Sequence, residues 1–318
     1  MKLTEKGKLK CLVLGGCGFI GSHLVDGLLD NGYEVIIFDK ENVDTKNIKH
    51  NLNKIKLIKG DFANENDITG AIKDIDHIFH FIGTTLPQSS TQNPIYDIES
   101  NVISTIKMLE ITRSANIKKI IFASSGGTIY GIPRQIPISE DHPTNPICAY
   151  GISKLIIEKY LHLYYKLYGL DYVSLRFSNA YGERQDPNGS QGAIAVFLGN
   201  IIKGNPINIW GDGKVIRDYI YVKDIVDAAI KAAEIDQMDP HVLNIGSGVG
   251  TSLKELIDIL SQITKKDIQI NYTEKRKIDV PVNILDISIA KKILSWEPKY
   301  SLTDGIKKML NYDFFGNF

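Results

Sequence analysis

The 318-residue chain is 43% hydrophobic and 23% charged, with 37 Lys plus Arg against 37 Asp plus Glu, a globular composition with room for one large core or two unequal ones. The balanced charge argues against a global basic field for nucleic acid and against an acidic disordered tail, so any phosphate is bound locally. Three cysteines without metal-ligand spacing, a polar start and no apolar run of about 20 residues argue against a disulfide framework, a metal site, a secretory signal and a membrane span, and favour the cytoplasm.

In chain order, Lys10–Leu14 is an expected β-strand that runs into Gly15-Gly-Cys-Gly-Phe-Ile-Gly21, with apolar residues at helical spacing over Ser22–Asn31. Gly15, Gly18 and Gly21 permit a tight turn and a close backbone approach, so a pyrophosphate can sit on the N–H groups that open the helix. The second strand, Glu34–Phe38, is followed by Asp39, about 20 residues after the loop, where a carboxylate accepts from both ribose hydroxyls of adenosine. NAD is therefore expected in preference to NADP: a 2′-phosphate would meet a like charge at Asp39, and Lys40 stands beside it where an Arg would be needed.

A third strand over Ile55–Lys59 leads to Gly60-Asp61-Phe62, where Asp61 either accepts from the adenine amino group or closes a turn. Helical spacing over Asn66–Ile72 is followed by a strand at His77–Phe81, then by a helix at Val102–Arg113 and a strand at Ile120–Ala123 that ends in the hydroxyls of Ser124 and Ser125. His80 is most simply a satisfied strand-end histidine. A long helix over Tyr150–Tyr168 opens with Tyr150-Gly-Ile-Ser-Lys154, which puts phenol and ammonium at i and i+4 on one face. A tyrosine is a poor base near neutrality, and a neighbouring cation lowers its pKa. Strand Tyr172–Phe177 completes six strands with crossover helices, the pattern of a doubly wound parallel α/β sheet, the Rossmann fold.

After about residue 178 glycine and proline become frequent, as expected of a smaller, loop-rich α/β region that carries binding groups. The expected division is residues 1–178 as the dinucleotide-binding domain, with returns near 215–248, and 179–318 as mainly a substrate region.

So many ordered motifs resemble the extended short-chain dehydrogenases of the NAD-dependent epimerase/dehydratase family, in particular the UDP-glucose 4-epimerase group. The likeness runs through the glycine loop, Gly60-Asp61, Asn101-Val102, Ser124-Ser-Gly-Gly-Thr-Ile-Tyr-Gly131, Tyr150 to Lys154, Leu175-Arg-Phe-Ser-Asn-Ala-Tyr-Gly182, Gly211 to Val222 and Leu243-Asn-Ile-Gly-Ser-Gly248. It implies that Tyr150 is the acid/base, Lys154 its electrostatic partner, Asn101 a support for the lysine helix, and Ser125 the assisting hydroxyl, with Thr128 as the alternative. It further implies NAD contacts from Phe19, Ile20, Phe62, Phe81, Ile82, Gly83, Ser124 and Phe177. Nucleotide-sugar contacts are implied at Thr84, Ser125, Thr128, Asn179, Arg217 and Arg276, with Asp279 ordering the Arg276 loop.

Asn283 stands where some epimerases carry a bulky tyrosine, which suggests that N-acetyl sugars are accepted beside UDP-glucose and UDP-galactose. Dehydratases of the family carry an Asp-Glu pair where this chain has Gly126-Gly127, so the second acid/base needed to eliminate water is missing. Uronate epimerases or decarboxylases, keto-sugar reductases and a non-catalytic binding protein are the competing readings. Apolar residues on more than one face of the Val102–Arg113 and Ser153–Tyr168 helices suggest a homodimer.

Overall fold

The computed structural model describes residues 8–275 and 280–312. By internal contacts the chain divides into two compact units that take turns along the sequence. One holds the chain up to Ser124 with Ser153–Leu175 and Ala229–His241; the other holds Ser125–Ile152, Arg176–Ala228 and the chain from Val242 onward.

The first unit is built from strands β1 (Lys10–Leu14), β2 (Glu34–Asp39), β3 (Lys56–Lys59), β4 (His77–His80) and β5 (Lys119–Ser125). Its helices are α1 (Phe19–Asp30), α2 (Glu65–Ile72), α3 (Pro87–Gln92), α4 (Pro94–Asp97) and α5 (Ser104–Thr112). β1 pairs in parallel with β2 and β4, β2 with β3, and β4 with β5. Central strand residues such as Leu12, Val13, Ile36, Ile37, Ile78, Phe79, Ile120 and Ile121 are buried whichever face they point to. Such continuous apolar runs mark a parallel sheet covered on both sides, and they form the core of this unit.

Helix α6 (Ala149–Tyr168) and strand β6 (Tyr172–Phe177) each begin in a segment of one unit and continue into the next segment. The six strands expected from the sequence all form, Lys10–Leu14 and Tyr172–Phe177 with the expected bounds. α1 starts three residues before the expected Ser22, because the glycine loop itself makes the first turn, with Ser22 N donating to Gly18 O at 3.0 Å. A glycine presents no side chain to a periodicity reading, so that turn was invisible in the pattern. The expected Val102–Arg113 helix is preceded by a π-helical turn at Ile98–Ile103, a widening often found where a side chain in the turn is put to use.

The second unit adds β7 (Asn179–Tyr181), α7 (Ala193–Lys203), β8 (Ile207–Trp210), β9 (Ile216–Tyr221), the start of α8 (Val222–Glu234), which continues into the first unit's segment at Ala229, β10 (Val242–Ile245), β11 (Gly250–Ser252), α9 (Leu253–Thr264), β12 (Ile270–Thr273), β13 (Val282–Asn283), α10 (Ser288–Leu294) and α11 (Leu302–Leu310). α9 begins in a capping box between Ser252 and Glu255, which satisfies two backbone donors of its first turn. Sheet order β10-β6-β5-β4-β1-β2-β3 gives seven strands in the principal sheet. The order reverses beside β1, and in such sheets ligands bind at the carboxyl ends of the strands at that switch. Gly15 follows β1 and Phe81 follows β4 at this place. Among the described residues no helix is long and apolar enough to cross a membrane.

Candidate active site

The glycine loop of the first unit is shaped by contacts that no side chain could share. Gly15 has φ +83°, and a Cβ there would lie 3.1 Å from the Ile82 backbone. A Cβ on Gly21 would fall 2.2 Å from Gly15 O, so only glycine lets α1 pack this tightly on the turn. Gly18 precedes α1 in an extended conformation, and the first turn has neither a side-chain cap nor an acidic residue. Its N–H groups and the positive end of the helix dipole are thus presented to an anion.

Asp39 ends β2 next to this loop. Its Oδ2 accepts from Cys17 N at 3.0 Å and its Oδ1 from Lys40 N at 2.9 Å. Each oxygen retains a lone pair for a hydroxyl. Asn47 donates to Cys17 O at 3.1 Å and holds the loop from the other side. Burial, reinforced by Asp39, pushes the Cys17 thiol up to about 12, so it is a neutral packing group. Phe19 and Ile20 are half-buried and Lys40 is exposed. Together the first turn of α1, the Gly21 cradle and the Asp39 carboxylate fit a dinucleotide.

Asp61 is exposed, and its Oδ1 accepts from Ala63 N at 2.9 Å, the turn arrangement. Phe62 is buried in the core against His80, with ring centroids 5.4 Å apart. The Phe81-Ile82-Gly83-Thr84 segment leaves β4 partly open to solvent. Asn101, in the π-helical turn, accepts from Thr84 N at 3.1 Å and donates to Thr84 Oγ1 at 2.8 Å and to Asp97 Oδ1 at 3.2 Å. It thereby ties the Thr84 loop to a carboxylate that also receives the hydroxyls of Thr85 and Ser153.

Lys154 follows Ser153 on α6, and its Nζ donates to Ala123 O at 2.7 Å and lies 4.7 Å from the Phe122 ring centre. Burial brings its pKa down to about 8, opposed by the charges of Asp97 and Glu158. Ser124 donates to Glu158 at 2.6 Å. His80 is fully buried and its pKa is pushed down to about 3 by that burial and by Lys154. It is therefore neutral, with Nε2 2.8 Å from Thr105 Oγ1.

The second unit holds the other half of the expected constellation. Thr128 Oγ1 donates to Ser125 Oγ at 2.9 Å, which leaves the Ser125 proton to be given to another acceptor. Gly126 is confined: a Cβ there would meet Leu285 at 2.6 Å and Arg176 O at 3.1 Å. Its N–H donates to Phe177 O at 2.8 Å and its carbonyl accepts from Asn283 Nδ2 at 2.9 Å. Tyr150 sits in the first turn of α6, and a Cβ on the next residue, Gly151, would lie 2.8 Å from Thr128 O. The helix start that carries Tyr150 is thus packed onto the Ser125–Thr128 loop, and Lys154 stands one turn further along the same helix.

β7, β9, β11 and β13 pair Asn179 with Tyr219, and Arg217 with Thr251 and Asn283. Paired residues, and residues two apart on one strand, point to the same face. Asn179, Tyr219, Arg217 and Asn283 therefore share a polar face. Asn179 Oδ1 lies near Gly127, 3.7 Å from where a Cβ would be. The Tyr219 hydroxyl and Asn283 Oδ1 are buried without a hydrogen-bond partner among the described residues, an arrangement that costs about 1–3 kcal/mol per group until a ligand or water meets it. Asp218, on the opposite face, accepts from Ser247 N at 2.8 Å, Gly248 N at 3.2 Å and Leu285 N at 3.3 Å. That structural use accounts for a carboxylate placed next to Arg217 in the sequence. Arg217 itself donates to Val280 O at 2.7 Å.

Arg276 and Asp279 lie outside the described residues. Sequence reasoning missed Asp97, Glu158, Gly151 and Tyr219. Gly151 and Tyr219 were within the quoted Tyr150–Lys154 and Gly211–Val222 motifs, and Glu158 continues the i, i+4 spacing of the first; Asp97 gave no such signal.

The chain matches, over residues 11–246, the family model described as the NAD dependent epimerase/dehydratase family. A Methanocaldococcus jannaschii protein provisionally named UDP-glucose 4-epimerase is 41% identical over 303 residues, 95% of this chain and 97% of that protein. The structure of UDP-glucose 4-epimerase from Thermotoga maritima with UDP-glucose superposes with a TM-score of 0.92 at 37% identity, covering 98% of this chain and all of that one. A UDP-N-acetylglucosamine 4-epimerase from Methanobrevibacter ruminantium, in complex with UDP-N-acetylmuramic acid, gives 0.91 at 31% identity over 98% of this chain and 100% of that one.

Proposed function

The chain belongs to the NAD-dependent epimerase/dehydratase family, and from that premise we propose that it inverts C4 of a UDP-hexose, interconverting UDP-glucose and UDP-galactose. The cofactor is NAD, held by the Gly15–Gly21 loop and Asp39, with Phe81, Ile82, Gly83, Ser124 and Phe177 as further contacts. When bound, NAD supplies the reversible hydride acceptor that makes a 4-keto sugar accessible.

The residues of the chain manage the proton and the pose. Tyr150, as phenolate, takes the proton of the 4-hydroxyl and later returns it. Lys154 stabilises the phenolate, since a cation one helical turn away favours the charged form. Ser125 gives its own hydrogen bond to the reacting sugar oxygen while Thr128 fixes its orientation. Arg217, Asn179 and Arg276 take the diphosphate and nucleoside, guanidinium forks being suited to phosphate oxygens. Asp279 orders the Arg276 loop, Thr84 borders the sugar, and Asn283 leaves room for an acetamido group, so UDP-N-acetylglucosamine is also a substrate.

The observation that carries this reading is the contact of Gly151 with Thr128 O, which seats the Tyr150 turn on the loop of the two hydroxyls. Gly126 and Gly127 provide no second acid, so the 4-keto sugar is not dehydrated. The protein works as a cytoplasmic homodimer. Ile95, Ile103, Leu163 and Leu167 are 70%, 44%, 44% and 61% exposed, apolar side chains that a twofold mate would cover.

The test is incubation with UDP-glucose, UDP-N-acetylglucosamine and UDP-glucuronate, following the anomeric protons by NMR. Galacto-configured products from the first two are expected. Conversion of UDP-glucuronate alone, or loss of its carboxylate, would replace the reading by a uronate epimerase or decarboxylase.

A further inference from the structure

A lysine taken wholly inside a protein is costly to keep as an ammonium unless acceptors and countercharges surround it. Lys154 is 7% exposed, and two carboxylates act on it. Asp97, at the end of α4, is 0% exposed. Three donors converge on it, the hydroxyls of Thr85 and Ser153 and the Asn101 amide at 3.2 Å. Such an all-donor environment suits a group that only accepts. Ser153 is the residue next to Lys154, so the anchor of Asp97 is also an anchor of the lysine backbone. Glu158, one turn after Lys154, is 4% exposed and accepts from Ser124 at 2.6 Å.

Also facing the amine are the Ala123 carbonyl and the Phe122 ring of β5, and His80 of β4, which is neutral. Tyr150 lies one turn earlier on α6.

We propose that Asp97 and Glu158 are positioning residues, a buried carboxylate pair that anchors Ser153 and Ser124, the neighbours of Lys154 and of the Ala123 carbonyl it donates to, and supplies the negative charge needed to keep the amine an ammonium. The inference rests on the reading of Lys154 as the cation that serves Tyr150. It assigns the π-helical turn a purpose: the widened turn lets Asn101 reach both Asp97 and the Thr84 loop. Burial already brings Lys154 down to about 8, and removing either carboxylate takes away an opposing influence and lowers it further. Because the protonated amine is the working form, activity then falls at a lower pH as pH rises.

The experiment is the pH profile of kcat for Asp97→Asn and Glu158→Gln, each checked for melting temperature and retained NAD. Each variant is expected to move the alkaline arm down by about one pH unit, which cuts turnover at pH 9 by about tenfold and at pH 6 by less than about twofold. A uniform loss at every pH with an unmoved alkaline arm overturns the proposal and makes the pair merely structural. If Asp97→Asn does not fold, Glu158→Gln decides alone, since its amide oxygen still accepts from Ser124. Lys154→Met separates the two levels. Normal turnover in it overturns the reading of Lys154 and this inference together, whereas an inactive Lys154→Met with unmoved alkaline arms in the carboxylate variants overturns only the inference.

Discussion

Gly21 in the first unit and Gly151 in the second both stand where one methyl group would strike a carbonyl oxygen, at 2.2 Å from Gly15 O and 2.8 Å from Thr128 O. Their purposes differ. Gly21 lets a helix close onto a turn so that backbone N–H groups, with no side chain involved, form an anion site. Gly151 lets a helix close onto a loop whose side chains, Ser125 and Thr128, are the proposed functional groups. One region makes its site from backbone shape and the other from side-chain chemistry on a backbone of the right shape, so equal steric insults should have different consequences.

Among the substitutions that test this division, the largest effect is expected from Gly21→Ala. Overpacking against Gly15 costs about 1–3 kcal/mol, and if the loop yields rather than the helix, NAD affinity falls by about 5- to 150-fold. Retained cofactor, measured by absorbance and by release on denaturation, is the readout. Full NAD occupancy in a folded Gly21→Ala would remove the backbone half of the comparison.

Gly151→Ala should do the reverse. NAD stays bound while kcat drops by roughly tenfold, because the Tyr150 turn is pushed away from the hydroxyl loop by a few tenths of an ångström. Lost cofactor with intact kcat in the remaining holoenzyme would show that the two glycines do not divide the work.

A smaller effect, confined to sugar choice and loop order, belongs to Asn283→Ala. It removes the amide donor to Gly126 O at 2.9 Å and leaves a buried carbonyl unmet, at about 1–3 kcal/mol of stability. A melting temperature equal to that of the parent chain would show that water replaces the amide.

The smallest effect on catalysis is expected from Leu167→Glu, on the exposed apolar face of α6. Light scattering after size exclusion should change from dimer to monomer with per-site kcat within about twofold. A parent chain that is already monomeric contradicts the assembly.

The same division explains what could be read from the sequence. The parallel sheet was legible because strands such as Val35–Phe38 are apolar at every position and buried on both faces. The glycine loop was legible because its chemistry needs glycine at fixed spacing, although the helix start it creates was not, glycine having no side chain to contribute to a periodicity. Asp39, Tyr150 and Lys154 were singled out by spacing along one strand–loop–helix or one helix. Asp97 was hidden because its meaning comes from Thr85, Ser153 and Asn101, residues 4 to 56 positions away that only the fold assembles. Tyr219, though inside a quoted motif, was hidden for a related reason: its place on a polar face depends on the register between β7 and β9. Asp218 taught the opposite lesson, since a carboxylate adjacent to a candidate phosphate-binding arginine proved to be a buried hub for Ser247, Gly248 and Leu285.

The central claim is that the oxygen of Tyr150 carries the sugar proton while Lys154 keeps it basic. Its most direct test is Tyr150→Phe, assayed for UDP-glucose conversion and for bound NAD in one preparation. Turnover lower by about 100- to 10,000-fold, the usual share of a general acid/base, with cofactor still in place, is the predicted result; conversion at the parent rate would contradict it.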